Sequence, residues 1–293
     1  MRTLRGVGQA LGLVREFRPQ ALLATGGYVC VPVALAAWLF RCPILIYLPD
    51  LEPGSAIRAL SRLADRVAVS FQAAADFFPA RKVLVSGYPV RASLLAADRS
   101  RSREALGLPQ EAKVLLIFGG SQGSRSINRA AAEALEPLLA RCHVVHISGP
   151  LDASWLAERR RALPPGLRER YHLHEYLHEE MASALAAVDL AVARAGAATL
   201  GEFPARGLPA IMVPYPHAGA HQERNADHLV ERGAAVKLLE RDLSGPRLAE
   251  AAGALLDDER GLEAMGARMG DLARPEAAGT LAEALRAIAG KAR

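Results

Sequence analysis

The stretch around Glu202 combines groups that could bind a phosphorylated ligand. An apolar run, Leu190 to Ala193, precedes a turn of small residues at 195–198, and Thr199 begins a helix-like segment. A helix that starts in small residues presents backbone N–H groups that suit a phosphate, and a carboxylate one turn later suits a ribose diol. The alternative is that Gly196 forms only a tight turn and that Glu202 is a solvated helix residue.

A second polar cluster follows the next apolar run, Ala210 to Val213. It contains His217, His221, Gln222 and Asn225. The order strand, turn, helix, strand and loop predicts one βαβ unit whose polar groups lie at the ends of the strands. Ligands bind at this edge in open parallel sheets, so the second cluster favours a site over a plain turn.

A glycine-rich segment, Gly119 to Ser124, connects a predicted strand to a predicted helix. Glycines let the backbone approach a phosphate closely, and the Ser121 hydroxyl can act as an additional donor. The segment is not a Walker loop and lacks the G-x-G-x-x-G spacing of dinucleotide folds. We interpret it as an anion site, with a plain strand-to-helix turn as the alternative.

Together these residues predict a nucleotide-sugar site. The diphosphate would lie on the helix N-termini, Glu202 would hold the ribose, and His221 and Gln222 would hold sugar hydroxyls. No Asp-x-Asp motif is present, so we expect no metal, and helix dipoles and donors would carry the leaving-group charge. His172, His174 and His178 lack the partners that complete a metal site, and we interpret them as a surface strand and loop.

Alternating apolar runs and amphipathic segments predict the elements that must position these groups. The predicted strands are at 21–24, 44–48, 67–70, 83–86, 113–118, 144–148, 171–175, 190–193, 210–213 and 235–238. This alternation predicts an α/β fold with parallel sheets covered on both faces. We expect a first domain at 1–92, a linker with a solvated arginine-rich helix at 93–112, a second domain at 113–270 and a final helix at 271–293 that packs back on the first domain.

The composition excludes several classes of protein. The 36 basic and 31 acidic residues suit an anionic ligand or membrane surface, and without a basic stripe interleaved with aromatics we expect no nucleic-acid partner. The sparse cysteines, Cys30, Cys42 and Cys142, indicate reduced thiols in a cytosolic protein. Residues 1–18 do not have the pattern of a signal peptide, and Pro32 and Pro43 interrupt the apolar stretch at 28–48 that would otherwise suggest a spanning helix.

Motifs along nearly the whole chain carry a family resemblance when they are taken in order. They include Thr25-Gly26-Gly27-Tyr28, Gly87-Tyr88-Pro89-Val90-Arg91, Phe118-Gly119-Gly120-Ser121-Gln122-Gly123, Arg194-Ala195-Gly196-Ala197 and Gly207-Leu208-Pro209. The sequence resembles the MurG family, the transferases that add N-acetylglucosamine to lipid I. The resemblance implies a GT-B fold of two Rossmann-like domains with a cleft between them, and UDP-N-acetylglucosamine held mainly by the C-terminal domain.

The resemblance also implies individual contacts to the donor. Arg91 and Ser121 match the positions that bind the diphosphate and nucleotide in the family, and His178 falls beside the uracil. Gln122, next to Ser121, is a further expected contact to the donor. The nucleotide segment is Ala197, Ala198, Thr199, Leu200, Gly201 and Glu202, with Glu202 on the ribose. His221 and Gln222 match the sugar-binding positions.

Two departures from the family pattern concern the acceptor side. The family's Gly-Gly-Thr-Gly-Gly-His turn carries the histidine that is the favoured base, and this turn has no match here. We therefore expect an incomplete N-terminal domain. We also expect a chain that binds the donor but transfers the sugar poorly. The loop Leu48-Pro49-Asp50 places Asp50 where the family has an asparagine near the sugar. Asp50 would accept sugar hydroxyls or act as the base, and it would also repel the diphosphate.

The implied activity is inverting transfer of N-acetylglucosamine to the lipid-linked muramyl-pentapeptide, converting lipid I to lipid II in peptidoglycan synthesis. We expect no cofactor, UDP-N-acetylglucosamine and a lipid-linked acceptor as partners, and a cytoplasmic protein that contacts the inner leaflet peripherally. Two alternatives stay open. One is a related transferase with another lipid acceptor, and the other is an inactive UDP-sugar-binding subunit that needs a partner.

Overall fold

The computed structural model describes residues 2–216 and 221–290, and the side chains of residues 2–5 are not considered. The chain divides into two compact units, which we call the first unit, Met1–Pro89 with Arg274–Arg293, and the second unit, Val90–Ala273. Each contains one parallel sheet with helices. The predicted α/β class is therefore confirmed.

The first unit is built on a four-stranded parallel sheet of order β1-β2-β3-β4. Its leading elements are α1 Arg2–Phe17, β1 Leu22–Ala24, α2 Cys30–Leu39, β2 Ile44–Leu48, α3 Ser55–Leu60, β3 Arg66–Val69 and β4 Val83–Val85. The strand β2 reads ILIYL and is buried at every position. A continuous apolar run of this kind is typical of a central strand covered on both faces.

The second unit is built on a six-stranded parallel sheet of order β10-β9-β8-β5-β6-β7. Its elements are α4 Ala92–Ala96, α5 Arg99–Ala105, β5 Val114–Phe118, α6 Arg125–Leu139, β6 His143–Ile147, α7 Ala153–Arg161, α8 Pro165–Arg168, β7 Tyr171–His174, α9 Met181–Ala187, β8 Leu190–Ala193, α10 Thr199–Arg206, β9 Ala210–Met212, α11 His221–Val230, β10 Ala235–Lys237, α12 Gly245–Asp257 and α13 Glu259–Gly270. The connections leave β5 and β8 in opposite directions across the sheet. The edge between these strands is therefore a topological switch point, where ligands bind in open α/β sheets.

The last helix, α14 Ala277–Ala289, returns to the first unit. Its Leu281 and Ile288 pack against Leu45 and Tyr47 on one face of the first sheet. Just before the chain enters the second unit, Gly87 has a left-handed φ of +84°, and a Cβ there would contact Arg274. Only glycine tolerates both the conformation and the close approach.

The segment at 93–112 differs from the solvated linker that its charge pattern predicts. It forms α4 and α5 within the second unit, and Arg103 is only 1% exposed. The Arg103 guanidinium donates to the carbonyls of Ala187 and Pro109 and pairs with Asp189 at 3.0 Å. The prediction of a solvated arginine cluster is wrong for Arg103, because partners distant in sequence satisfy its donors.

We expect Arg103→Met to destabilise the second unit by about 3 kcal/mol, because it removes the buried partner of the Asp189 carboxylate and leaves the buried Ala187 carbonyl without its donor. Arg99→Met is a matched control, since Arg99 pairs with the same Asp189 carboxylate but its side chain is 46% exposed. Its loss should cost less than about 1 kcal/mol. Urea unfolding followed by Trp155 fluorescence, in a Trp38→Phe background, measures both. Equal losses in the two variants would contradict the buried role of Arg103.

Candidate functional site

A cleft of about 530 Å³ lies at the carboxyl ends of β5 and β8, at the switch point of the second sheet. The loops after β5, β8 and β9 form its walls. It is lined by Phe118, Gly119, Gly120, Gly123, Ser124, Arg125, Ser126, Arg194, Gly196, Ala198, Thr199, Tyr215, Gln222 and Glu240. The two glycine turns singled out by sequence therefore meet in one cavity.

The loop after β5 depends on glycine at two positions. A Cβ on Gly119 would collide with Ser124, and a Cβ on Gly123, whose φ is +76°, would collide with the carbonyl of Ser148. The Gly123 amide donates to the Gly120 carbonyl at 2.9 Å and closes the turn. The loop is thus pressed against the end of β6, and Ser121 and Gln122 lie exposed at its tip.

Arg194 connects three walls of the cleft. Its guanidinium donates to Ser124 Oγ at 2.7 Å, to Ser126 Oγ at 2.9 Å and to the Val213 carbonyl at 3.2 Å. It also pairs with Glu240. The side chain is 11% exposed, so its donors are used for holding the loops together.

Sequence reasoning missed this role, since it treated Arg194 only as the end of an apolar run and as part of a motif. The available signal was an arginine placed directly after a buried strand at a predicted ligand-binding edge. Its partners come from positions about 20, 46 and 70 residues away. No local pattern identifies them.

The turn at 195–198 has fewer available amides than the sequence predicts. The amides of Thr199, Leu200 and Gly201 already donate to carbonyls of the turn, and Thr199 Oγ1 donates to the Gly196 carbonyl at 2.6 Å. The side chain of Leu200 is buried in the core and Gly201 is also buried. The amides of residues 196–198 donate to no backbone carbonyl within the described residues. They are therefore the backbone donors of this turn that an anion could use.

A buried asparagine is hydrogen-bonded to the first residue of this turn. Asn225, on α11, is fully buried and its Nδ2 donates to the Ala195 carbonyl at 3.0 Å. The bond fixes the exit of β8 against α11. It gives a physical reason for an amide at this position in the second polar cluster.

Glu202 and Arg91 lie together in the second unit. The Arg91 Nη2 is 3.6 Å from Glu202 Oε1, and the Glu202 side chain is 17% exposed. Burial raises the pKa of Glu202 above its ordinary value, and the charge of Arg91 opposes that shift. The residues predicted for the ribose and the diphosphate are thus neighbours, although neither lines the cleft itself.

Gln222 lines the cleft with one end of its amide already oriented. Its Oε1 accepts from the Tyr215 amide at 2.9 Å, which leaves its NH₂ group as a donor. His221 Nδ1 is buried and, among the described residues, has no hydrogen-bond partner. His217 lies outside the described residues.

The other predicted contacts are not gathered in this cleft. His178 lies exposed in the loop after β7, with its ring edge-on to Tyr176 at 4.6 Å. Asp50 lies in the loop after β2, in the first unit. Both residues are predicted as donor contacts from the family resemblance, and neither is among the residues that line the cleft.

A buried polar chain lies behind the glycine loop. Asn128 Nδ2 donates to the Ser148 carbonyl at 2.8 Å and to Asp152 Oδ2 at 2.9 Å, so its Oδ1 accepts from His146 Nε2 at 3.0 Å. His146 Nδ1 then accepts from the Tyr171 hydroxyl at 2.8 Å. Burial lowers the pKa of His146 to about 3, which keeps the ring neutral, and the bonds to Asn128 and Tyr171 select the tautomer with the proton on Nε2.

Within residues 2–216 and 221–290, no three or more His, Cys, Asp or Glu side chains are grouped so that they could hold a metal ion. In the same residues, none of the helices combines the length and the apolar character that crossing a bilayer requires.

The chain is similar in sequence to known glycosyltransferases. Residues 114–281 match the glycosyltransferase family 28 C-terminal domain, and residues 1–69 match the N-terminal domain of that family. A Roseiflexus protein named UDP-N-acetylglucosamine–N-acetylmuramyl-(pentapeptide) pyrophosphoryl-undecaprenol N-acetylglucosamine transferase is 44% identical, over 95% of this chain and 71% of its own length. A protein of the same name from Desulforudis audaxviator is 42% identical, over 99% of this chain and 79% of its own length.

A solved structure extends the similarity to three dimensions. The crystal structure of Acinetobacter baumannii MurG matches with a TM-score of 0.76 and 25% identity. The match covers 97% of this chain and 80% of that one.

Proposed function

This chain belongs to glycosyltransferase family 28, and from that premise we propose that it transfers N-acetylglucosamine from UDP-N-acetylglucosamine to lipid I, forming lipid II. The observation that carries the proposal is the 44% identity over 95% of the chain to a transferase of that name. The cleft of the second unit supports it, because it combines two glycine turns with oriented polar side chains at a sheet switch point.

The proposed transfer inverts the anomeric carbon. An acceptor hydroxyl oxygen forms a bond to that carbon, while the bond from the carbon to the β-phosphate oxygen breaks and its electron pair leaves on UDP. A base takes the hydroxyl proton. Fixed donors that meet the growing charge on UDP lower the barrier, because they need no reorganisation during the reaction.

We assign the donor contacts partly to groups that line the cleft and partly to positions that the family resemblance supplies. The diphosphate lies against the loop at 119–124 and the turn at 195–198, with Arg91 and the Ser121 hydroxyl as further donors. The ribose diol donates to Glu202. The Gln222 NH₂ group and His221 bind the sugar, and His178 lies on the uracil side. No step in this scheme calls on a metal.

We expect Glu202→Ala to weaken UDP binding by about 1.5–3 kcal/mol, or roughly tenfold to a hundredfold, because the charge-assisted bonds of the ribose diol are lost. The control is 2′,3′-dideoxy-UDP, which lacks the donating hydroxyls and should bind both proteins equally. Isothermal titration of residues 1–293 in buffer with EDTA gives both constants. Equal weakening for the two ligands would contradict the ribose assignment.

We propose that Asp50 contacts a sugar hydroxyl, because it occupies the position of the family's asparagine near the sugar. We expect Asp50→Asn to keep transfer within about tenfold of the unaltered chain and to strengthen donor binding, because the amide still accepts the hydroxyl bond and no longer repels the diphosphate. A general base contributes about 10²–10⁴-fold. A fall in kcat of that size at unchanged donor KM would instead make Asp50 the base.

We further propose peripheral contact between the first unit and the anionic inner leaflet. The helices α1 and α2 pack on each other through Ala10, Val14 and Ala36. Large apolar side chains remain on their outer surface, including Phe17, 80% exposed, and Trp38, 50% exposed. Apolar side chains with nearby basic residues, here Arg18 and Arg41, are typical of proteins that lie on anionic membranes.

Co-sedimentation with phosphatidylglycerol vesicles tests this contact. We expect the unaltered chain to bind them, and the double variant Phe17→Ser/Trp38→Ser to lose most of that binding because the inserted apolar area is removed. Leu151→Ser is the matched control, since Leu151 is 73% exposed, between Trp38 and Phe17, but belongs to the second unit. Loss of binding in the control, or none in the double variant, would refute the assignment.

A further inference from the structure

Arg125 is a second arginine of the cleft, and its environment differs from that of Arg194. It is the first residue of α6, it lines the cavity, and its side chain is 61% exposed. Its Nε and Nη2 lie 3.2 and 3.1 Å from Asp152 Oδ1. This side-on pair leaves Nη1 with its two N–H groups for another acceptor.

Arg194, by contrast, is committed to the protein. It is 11% exposed, pairs with Glu240 and bonds two serine hydroxyls and strand-end carbonyls. Arg194 therefore shapes the cleft, while Arg125 is the cleft arginine that is accessible to an anion.

Asp152 holds Arg125 in place from a buried position. The carboxylate side chain is 3% exposed and also accepts from Trp155 Nε1 at 2.8 Å and Asn128 Nδ2 at 2.9 Å. Burial alone would raise the pKa of Asp152, but these bonds and the charge of Arg125 hold the pKa below its ordinary value. An ionised carboxylate fixed by the Asn128–His146–Tyr171 chain thus orients the guanidinium.

We propose that Arg125 binds the outer phosphate of the nucleoside diphosphate and that Asp152 positions it for this contact. The inference rests on the proposed function and adds a residue to it. Glu202 holds the ribose and the turn at 195–198 lies next to it in the chain, so the phosphate attached to the ribose lies on the β8 side. The outer phosphate then reaches the opposite wall, formed by the loop after β5 and the start of α6. Arginine suits it, because the guanidinium matches phosphate geometry and keeps its charge.

Isothermal titration of residues 1–293 with UDP, UMP and uridine tests the assignment. We expect Arg125→Gln to weaken UDP about 10- to 100-fold, the usual range for a lost charge-assisted bond. UMP and uridine should change by less than about twofold, since they lack the outer phosphate. Arg125→Lys should recover part of the UDP affinity, because it restores the charge but not the fork.

Arg129→Gln is the matched control. Arg129 is an exposed arginine one turn further along α6 and does not line the cleft. The Arg129→Gln variant should leave the affinities for UDP, UMP and uridine unchanged. This control distinguishes a specific contact of Arg125 from the general positive charge of this surface. Asp152→Asn should weaken UDP in the same selective pattern as Arg125→Gln, and it should raise donor KM more than it lowers kcat.

The outcomes separate this inference from the proposed function. If the unaltered chain binds UDP and Arg125→Gln binds it equally well, the inference is wrong and the proposed function stands. If Arg125→Gln weakens UDP and UMP alike, the assignment to the outer phosphate is overturned. If the unaltered chain binds no UDP, the proposed function fails and the inference fails with it.

Discussion

The candidate site depends on one largely buried cation, the Arg194 guanidinium, whose side chain is 11% exposed. Parallel strands deliver their loops to one edge of a sheet, but nothing in the sheet's hydrogen bonds fixes those loops to one another. Arg194 does this by bonding serine hydroxyls after β5, a carbonyl after β9 and the Glu240 carboxylate. A neutral side chain at this position would remove these bonds and leave the partly buried Glu240 carboxylate and Val213 carbonyl without this donor, and an unsatisfied buried acceptor costs about 1–3 kcal/mol.

Around that cation, the site separates residues that form the cavity from residues that meet a ligand. Arg194, Asn225 and Asn128 use their donors on backbone carbonyls or protein side chains. Two of the groups left to a ligand, Gln222 and Arg125, are more exposed and are each held by one protein partner, the Tyr215 amide and the Asp152 carboxylate. For these residues the division follows from burial, because most buried donors are satisfied within the protein; His221 Nδ1 departs from it, since it is buried without a partner among the described residues.

The sequence predicts the elements well where a strand is buried on both faces. The runs Ile44–Leu48 and Leu190–Ala193 are observed with the predicted bounds, because burial on both faces requires an unbroken apolar run that ends where the strand ends. The glycine turns and Gln222 are also placed together, since the edge of a parallel sheet collects such loops. Here the local pattern and the fold impose the same requirement.

Residues whose environment depends on distant partners were not predictable in this way. Arg103 reads as one of several solvated arginines, and only the carbonyl of Ala187 and the carboxylate of Asp189 make it a buried residue. The same holds for Arg125, whose orientation depends on Asp152, 27 residues later in the chain. Charge patterns in sequence do not report which member of a cluster finds a buried partner.

Because α14 packs on the first unit, that unit cannot finish folding until the last part of the chain has been synthesised. The second unit is one uninterrupted segment, Val90–Ala273, whereas the first unit is split between both ends of the chain. During synthesis, the sheet face that carries Leu45 and Tyr47 must wait for Leu281 and Ile288, which leave the ribosome more than 230 residues later. The unit that is begun first is therefore finished last, and a chaperone or another part of the nascent chain has that interval in which to cover its apolar face.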